Sequence, residues 1–326
     1  MKKVLSLFCI HFLFLFSSVF YVFSEESSPW DIYVQTDFSY SPGSEIKPGK
    51  THFSFPNEVF YSVLFRSTLK ADYRINTPLG ETFLTKDANI VLESLFEVSP
   101  VSIKPGFLVT FTPLPFLSFY AGTQIGTAWS FIEKNGMEKY VLSEESYKAL
   151  DPFSSWYSKS LLGAKFQFDT GAVWKGDWTH VVALAQYTLA YTKLTGVPDG
   201  TPWSWQTTEH YINGLNYEWY FVLGYQMPLK LSLAGFCCDL YGYYESAPID
   251  SIYSDFNAYF MTCETGPFVF IKINEHNSLT VQLTFMNRRS FTKKEGADDP
   301  NRHPLLVSQG TEFYFDSLGF RWTYTF

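Results

Sequence analysis

The 326-residue sequence predicts an all-β fold, a closed antiparallel up-and-down transmembrane β-barrel of about 12 strands. Three observations predict it. Apolar and polar residues alternate with a period of two through most of the chain, and the connections between alternating segments sort by length onto two sides. No stretch after residue 24 reaches the roughly 18 uninterrupted apolar residues that a membrane helix requires. In lipid every backbone polar group must be satisfied within the protein, which leaves the helix or the closed barrel. Aromatic residues make up 20% of the chain against 17% charged, so one face of each strand has rings enough to meet lipid.

The N-terminus reads as an export signal. Lys2 and Lys3 form a positive start, Val4 to Val22 is apolar, and Val22-Phe23-Ser24 offers a cleavage site after Ser24. An uncleaved anchor helix is the alternative; Ser17-Ser18 and the acidic Glu25-Glu26 speak against it. Cys9 follows Phe8, where a lipid-anchor signal wants a small residue. The expected organisation is a signal peptide at 1–24 and one barrel domain at 25–326. Removing Lys2 and Lys3 with the signal leaves 22 basic against 32 acidic residues, a formal charge of −10. That charge excludes a nucleic-acid partner.

The strands follow in order. Strand one, at 30–40, turns Ile32, Val34, Thr36 and Phe38 outward and Asp31, Gln35 and Asp37 inward. Strand two, at 58–75, turns out Val59, Tyr61, Val63, Phe65, Ser67 and Leu69, and turns in Arg66, Thr68, Lys70 and Asp72. Strands three to five fall at 88–98, 101–112 and 116–131, with Phe107, Val109 and Phe111 outward on the fourth. The sixth, at 160–174, alternates Leu162, Ala164, Phe166 and Phe168 with Lys165, Gln167 and Asp169. The seventh, at 177–193, leads to the eighth at 211–226, with Tyr217, Trp219, Phe221, Leu223 and Tyr225 outward. Leu229, Leu231 and Leu233 mark the ninth at 229–244; the tenth spans 255–273. Leu279, Val281, Leu283 and Phe285 face out from the eleventh at 278–290, opposite Thr280, Gln282 and Thr284. The twelfth, at 311–326, ends on Leu318, Phe320, Trp322, Tyr324 and Phe326 in one row.

Counted up and down, the tight turns Pro113-Leu114-Pro115, Lys175-Gly176, Met227-Pro228 and Asn274 to Asn277 all fall on one side. The long loops 41–57, 132–159, 194–210, 245–254 and 291–310 fall on the other, as short periplasmic turns and longer external loops do. Connections 76–87 and 99–100 break the rule, leaving the third and fourth strands least secure.

In these features the chain resembles bacterial outer-membrane β-barrel proteins, porin-like in the broad sense. The resemblance rests on the alternation of the whole mature chain and on the last strand, where Gly319, Trp322, Tyr324 and Phe326 match the terminal pattern read by the barrel assembly machinery. It implies residence in the outer membrane after export, with outer-membrane lipid and that machinery as partners and no cofactor. A passive or weakly selective channel for small solutes is the function expected. The alternatives are an adhesin-like surface interaction or structural barrel and, third, an outer-membrane lipid hydrolase.

The candidate lumen-lining residues are Asp31, Asp37, Arg66, Lys70, Asp72, Glu93, Lys104, Lys165, Asp169, Glu218, Lys230, Arg288 and Arg321, with Arg74 and Glu97 beside them. Their charges nearly cancel, which fits an internal ion-pair network, a narrow mixed-charge path, or both. In the loop 132–159, Ser143 to Leu150 reads as a capped helical turn or two, in an external lid or a segment folded inward. Trp203 and Trp205 share a face, as part of an interfacial aromatic girdle or as an aromatic platform.

The hydrolase reading has two minimal His-x-Ser matches, His52 and Ser54 with Asn57 nearby, and His276 with Ser278. His180, near Trp178, reads as interfacial. Asp298, Asp299, Asn301 and His303 read as a solvated acidic loop, and no metal-ligand spacing is present. The mature cysteines are Cys237, Cys238 and Cys263. A hairpin centred near residue 250 places Cys237 opposite Cys263 as a candidate disulfide; three reduced wall residues are the alternative.

Overall fold

A computed structural model describes residues 29–44, 50–132, 134–144, 146–206, 208–247, 259–292 and 307–326. The expected signal peptide lies outside the described residues. Twelve antiparallel strands form the wall: β1 (Trp30–Gly43), β2 (Glu58–Asn76), β3 (Asn89–Ser99), β4 (Ser102–Leu114), β5 (Leu117–Ala128) and β6 (Tyr157–Asp169). β7 (His180–Leu194), β8 (Gly214–Gln226), β9 (Leu231–Tyr243), β10 (Thr262–Lys272), β11 (Asn277–Thr292) and β12 (Val307–Thr325) complete it. Each pairs with the next in chain order, and β12 closes on β1 from Tyr33↔Thr325 to Tyr40↔Leu318. Closure leaves no unpaired edge in the wall, the condition lipid imposes on a sheet.

The molecule is inside out. Phe65, Phe107, Phe119, Leu162, Leu223 and Leu283 stand exposed on the outer face, while Thr68, Glu97, Ser118, Thr188, Thr284 and Ser317 are buried on the inner one. A water-soluble sandwich has the opposite distribution, so the exposed apolar belt is the face for lipid.

The connections divide between two rims. At one, β4 and β5 join through Pro115-Phe116, β8 and β9 through 227–230, and β10 and β11 through 273–276. The opposite rim carries the long loops. The two exceptions are real: 77–88 is long at the tight-turn rim, closed by Thr77 N–H donating to the Ala88 carbonyl (2.8 Å), and Pro100-Val101 is short at the loop rim.

Strand ends depart from the alternation where a side chain captures the backbone. β6 stops at Asp169, not at 174, because that carboxylate accepts from Gly171 N–H (2.8 Å) and caps a 3-10 turn at Thr170–Ala172. β10 begins at Thr262; residues 255–258 of the tenth expected strand lie outside the described residues.

The larger departure is a bulge in β9. Leu231 pairs with Ile271 and Leu233 with Phe270, so Ser232 is an extra residue and the inward row changes parity there. Leu233, expected outward, joins the inner face; beyond it Cys237 and Asp239 face in, while Phe236 stands half exposed outside. The Cys237–Cys263 bridge is therefore not formed. Cys237 lies opposite Gly266 and Cys263 opposite Leu240, three residues from the expected register, an odd shift that puts the two thiols on opposite faces. All three cysteines are free, and the sulfurs that approach are Cys238 and Cys263, at 3.9 Å.

Candidate functional site: a lidded, charged lumen

Strands β1 to β8 and β12 enclose a chamber of about 340 Å³ at mid-height, lined by Asp37, Arg66, Lys70, Glu93, Lys159 and Arg321 among others. A second space of about 450 Å³ lies toward the tight-turn rim, with Asp72, Arg74, Asp87, Lys165 and Gln167 in its wall. Glu93 is common to the walls of both.

Strand register brings charges of opposite sign together across neighbouring strands. Asp37 sits opposite Arg66 on one side and Arg321 on the other. Arg66 Nε donates to Asp37 Oδ2 at 2.8 Å and Arg321 Nε to Oδ1 at 2.6 Å. Lys70 Nζ lies 3.5 Å from Glu93 Oε2, Lys104 Nζ 3.2 Å from Glu97 Oε1, and Lys159 Nζ 3.7 Å from Glu218 Oε2. Such pairs add little net stability, because desolvating two ions offsets their attraction; what they do is hold each side chain in one orientation.

Four of the expected lining residues lie away from this chamber. Lys230 is exposed in the rim turn between β8 and β9. Asp169 is bound in its turn by His180 Nδ1 at 2.8 Å, and Asp31 lies at the tight-turn end of β1 opposite Asp72. Arg288 donates from Nε to Glu312 Oε2 (2.7 Å) and from Nη2 to the Ser44 carbonyl (3.1 Å), tying the first long loop to the wall. Lys159, Asp239 and Glu264 join the inner rows without being among the residues the sequence pattern assigns there. Lys159 continues the Lys165 row one residue before the expected strand start, and the β9 bulge moves Asp239 to the inner face, opposite Glu264.

A lid covers part of the mouth at the loop rim. A four-stranded sheet is built from Met137–Val141, Ser146–Ala149, Trp203–Trp205 and Thr208–Tyr211, contributed by the β5–β6 and β7–β8 loops. The segment expected as a helical turn is a β-hairpin with a single 3-10 turn at Leu142–Glu144. Trp203 and Trp205 are not a girdle facing lipid. Both are buried, in a core with Ala128, Met137, Tyr157, Leu194 and Val197. Trp203 stacks on Tyr211 at 4.8 Å and Trp205 on Tyr157 at 4.7 Å. Burial within the lid pushes the Tyr211 hydroxyl up to about 12.

The lid reaches across the opening. Gln206 belongs to the loop between β7 and β8, yet its Nε2 donates to Glu97 Oε1 (3.0 Å) on β3 and to Ser102 Oγ (2.5 Å) on β4. That is three to four strands around a twelve-stranded wall. Gln206 is also held at φ +51°, a conformation unusual for a residue with a side chain.

The candidate hydrolase groups do not form a nucleophile–base pair. His52 Nε2 and Ser54 Oγ both bond to Glu312 Oε1, and not to each other, while Arg288 holds the other oxygen, Oε2. His276 Nδ1 meets the Thr325 carbonyl at 2.8 Å, away from Ser278. Asp298, Asp299, Asn301 and His303 lie outside the described residues. Among the described residues no cluster of three metal-ligating side chains occurs.

An apolar exterior, a charged interior and a wall without edges define the architecture of an outer-membrane β-barrel protein. No family model and no curated protein matches the sequence. Among solved structures, the chain is similar to the outer membrane channel DcaP of Acinetobacter baumannii, with TM-score 0.36, 8% identity and 93% of this chain and 99% of that one covered. It is also similar to OmpT of Vibrio cholerae, with TM-score 0.35, 9% identity and coverage of 93% and 99%, and to OccK2 of Pseudomonas aeruginosa, with 0.22, 8%, 91% and 97%. Likeness this remote carries no functional argument; the strand pairing itself carries the fold.

Proposed function

We propose that the protein is a bacterial outer-membrane channel for small solutes, weakly selective and narrowed at its outer mouth by the lid. The observation that carries this reading is the pair of polar spaces inside the barrel, one toward the tight-turn rim and one beneath the lid, with Glu93 in both walls and oriented ion pairs lining the second. The tight-turn rim then faces the periplasm, and outer-membrane lipid surrounds the apolar belt. The barrel assembly machinery reads Trp322, Tyr324 and Phe326, whose rings follow one another along the outer face at 6.2 and 5.0 Å. Purified protein in planar bilayers should show discrete single-channel steps, larger in Gln206→Ala, which loses the contact of the lid with Glu97 and Ser102. Absence of steps in both proteins would overturn the channel reading. One observation favours a second reading, a surface-interaction barrel: the lid has its own apolar core, as a binding platform needs. That reading requires a ligand held by the lid in a protein that does not conduct.

A further inference from the structure

The chamber looks neutral by formal count, but the charge it presents is not. Around Asp37, two guanidiniums share one carboxylate, whereas Lys70–Glu93, Lys104–Glu97 and Lys159–Glu218 are one-to-one pairs. The Arg66 and Arg321 side chains are 45% and 47% exposed, against 20% for Asp37 between them. The Glu93 and Glu97 side chains are only 16% and 10% exposed, and Glu218, at 33%, is paired with Lys159. The most exposed charges on the chamber wall are therefore the two guanidiniums.

Geometry adds donors. Asp37 is met by Nε of each arginine and by one Nη2 of Arg321 at 3.3 Å. The Arg66 terminal nitrogens make no hydrogen bond among the described residues. On the same inner rows, Gln35 lies opposite Thr68, and both line the chamber, adding a neutral amide and a hydroxyl. Two planar forks held side by side by a shared carboxylate match the paired oxygens of a compact oxyanion, which a lysine would meet only as a point charge.

We propose that Arg66 and Arg321, oriented by Asp37, form a binding site for a compact oxyanion, a carboxylate or a phosphate. The site gives the solute path its substrate class and rests on the channel reading for its role, though its binding does not depend on conduction. Full-length refolded protein in detergent micelles is titrated calorimetrically with inorganic phosphate in one arm and succinate in the other, at low salt. At least one arm should saturate at one ligand per chain, and the arm that binds tighter identifies the source. Arg66→Gln and Arg321→Gln should each weaken that binding about tenfold or more, since each removes a charge-assisted hydrogen-bonding fork. Either variant leaves Asp37 one guanidinium, which protects folding. Lys165→Gln removes the same charge from the second space and should change affinity less than twofold. If an Arg→Gln chain does not refold, Arg→Lys at the same position keeps the charge, loses the fork and should still bind more weakly. Absence of saturation in both arms overturns the site. So does equal weakening by Lys165→Gln and the arginine variants, which would show only a diffuse field. Bilayer recordings of the same preparations separate the two ideas: binding without conduction defeats the channel and leaves the site, and conduction without binding does the reverse.

Discussion

Ser232 is the residue on which the positions of three thiols turn. Its Oγ leans on the Phe270 carbonyl at 3.4 Å, and from it onward the inward row of β9 moves from one parity to the other. A thiol oxidant such as diamide, added to the folded protein, should link Cys238 to Cys263, whose sulfurs already approach, and leave Cys237 alkylatable. Peptide mapping by mass spectrometry checks it; a Cys237–Cys263 peptide would contradict the register. Cysteine identity was plain in the sequence, but a bulge has no local signature in LKLSLAG, because the extra residue is small and its neighbours apolar on both faces. Face assignment makes a second prediction at this scale. Arginine in place of the outward Leu162 or Leu283 should cost on the order of 2 to 4 kcal/mol near the bilayer midplane. Arginine in place of the inward Gln282 should cost less than about 1 kcal/mol, since lumen substitutions tune selectivity more than stability. Lipid-refolding titrations in denaturant compare them, and equal costs would contradict the inside-out assignment.

At the scale of elements, wall and lid differ in how they were encoded. All twelve wall strands were legible because alternation is a property of each strand alone, and the tight turns announce themselves with proline, glycine and asparagine. The lid was not legible. Its central strand Met137–Val141 pairs with Trp203–Trp205 through the register Trp203↔Lys139, 64 residues apart, and no local pattern reports a pairing that distant and that short. Ser143 to Leu150 carries a sound capping signal, yet the buried partners of Met137 and Tyr140 override it in favour of a hairpin. The charged chamber was half legible: parity named Asp37, Arg66, Lys70 and Arg321, and only register showed that one carboxylate serves two arginines. The lid core sets a prediction of its own. Trp203→Ala should destabilise the lid by about 3 to 5 kcal/mol, the usual cost of emptying a packed site of that size. In hydrogen exchange the amides of Met137–Val141 and Trp203–Trp205 should lose protection while those of β11 and β12 keep theirs. Loss of protection throughout the wall would mean that lid and barrel fold as one unit.

For the molecule as a whole, the balance of exposed charge matters more than the formal net charge. Neutralising Arg66, Lys70 and Arg321 together removes three positive groups from the chamber, so the ratio of cation to anion permeability should rise. Reversal potentials under a salt gradient measure this, and an unchanged ratio would place the current path elsewhere. The closing pair of strands, β12 against β1, has a different consequence. Bringing Tyr33 and Thr325 together closes a loop of nearly the entire chain, an entropic cost of about 5 kcal/mol that no local contact offsets before the other strands are in place. Until then two backbone edges face their surroundings with unpaired amides and carbonyls, each costing several kcal/mol in hydrocarbon. A half-zipped seam is therefore the least stable species the chain can form inside a bilayer. Insertion and closure become a single event, and so does release: the finished barrel is trapped by the height of that barrier more than by the depth of its energy minimum. Unfolding and refolding curves taken at ordinary waiting times should fail to superimpose, with a hysteresis that narrows only as the equilibration is lengthened.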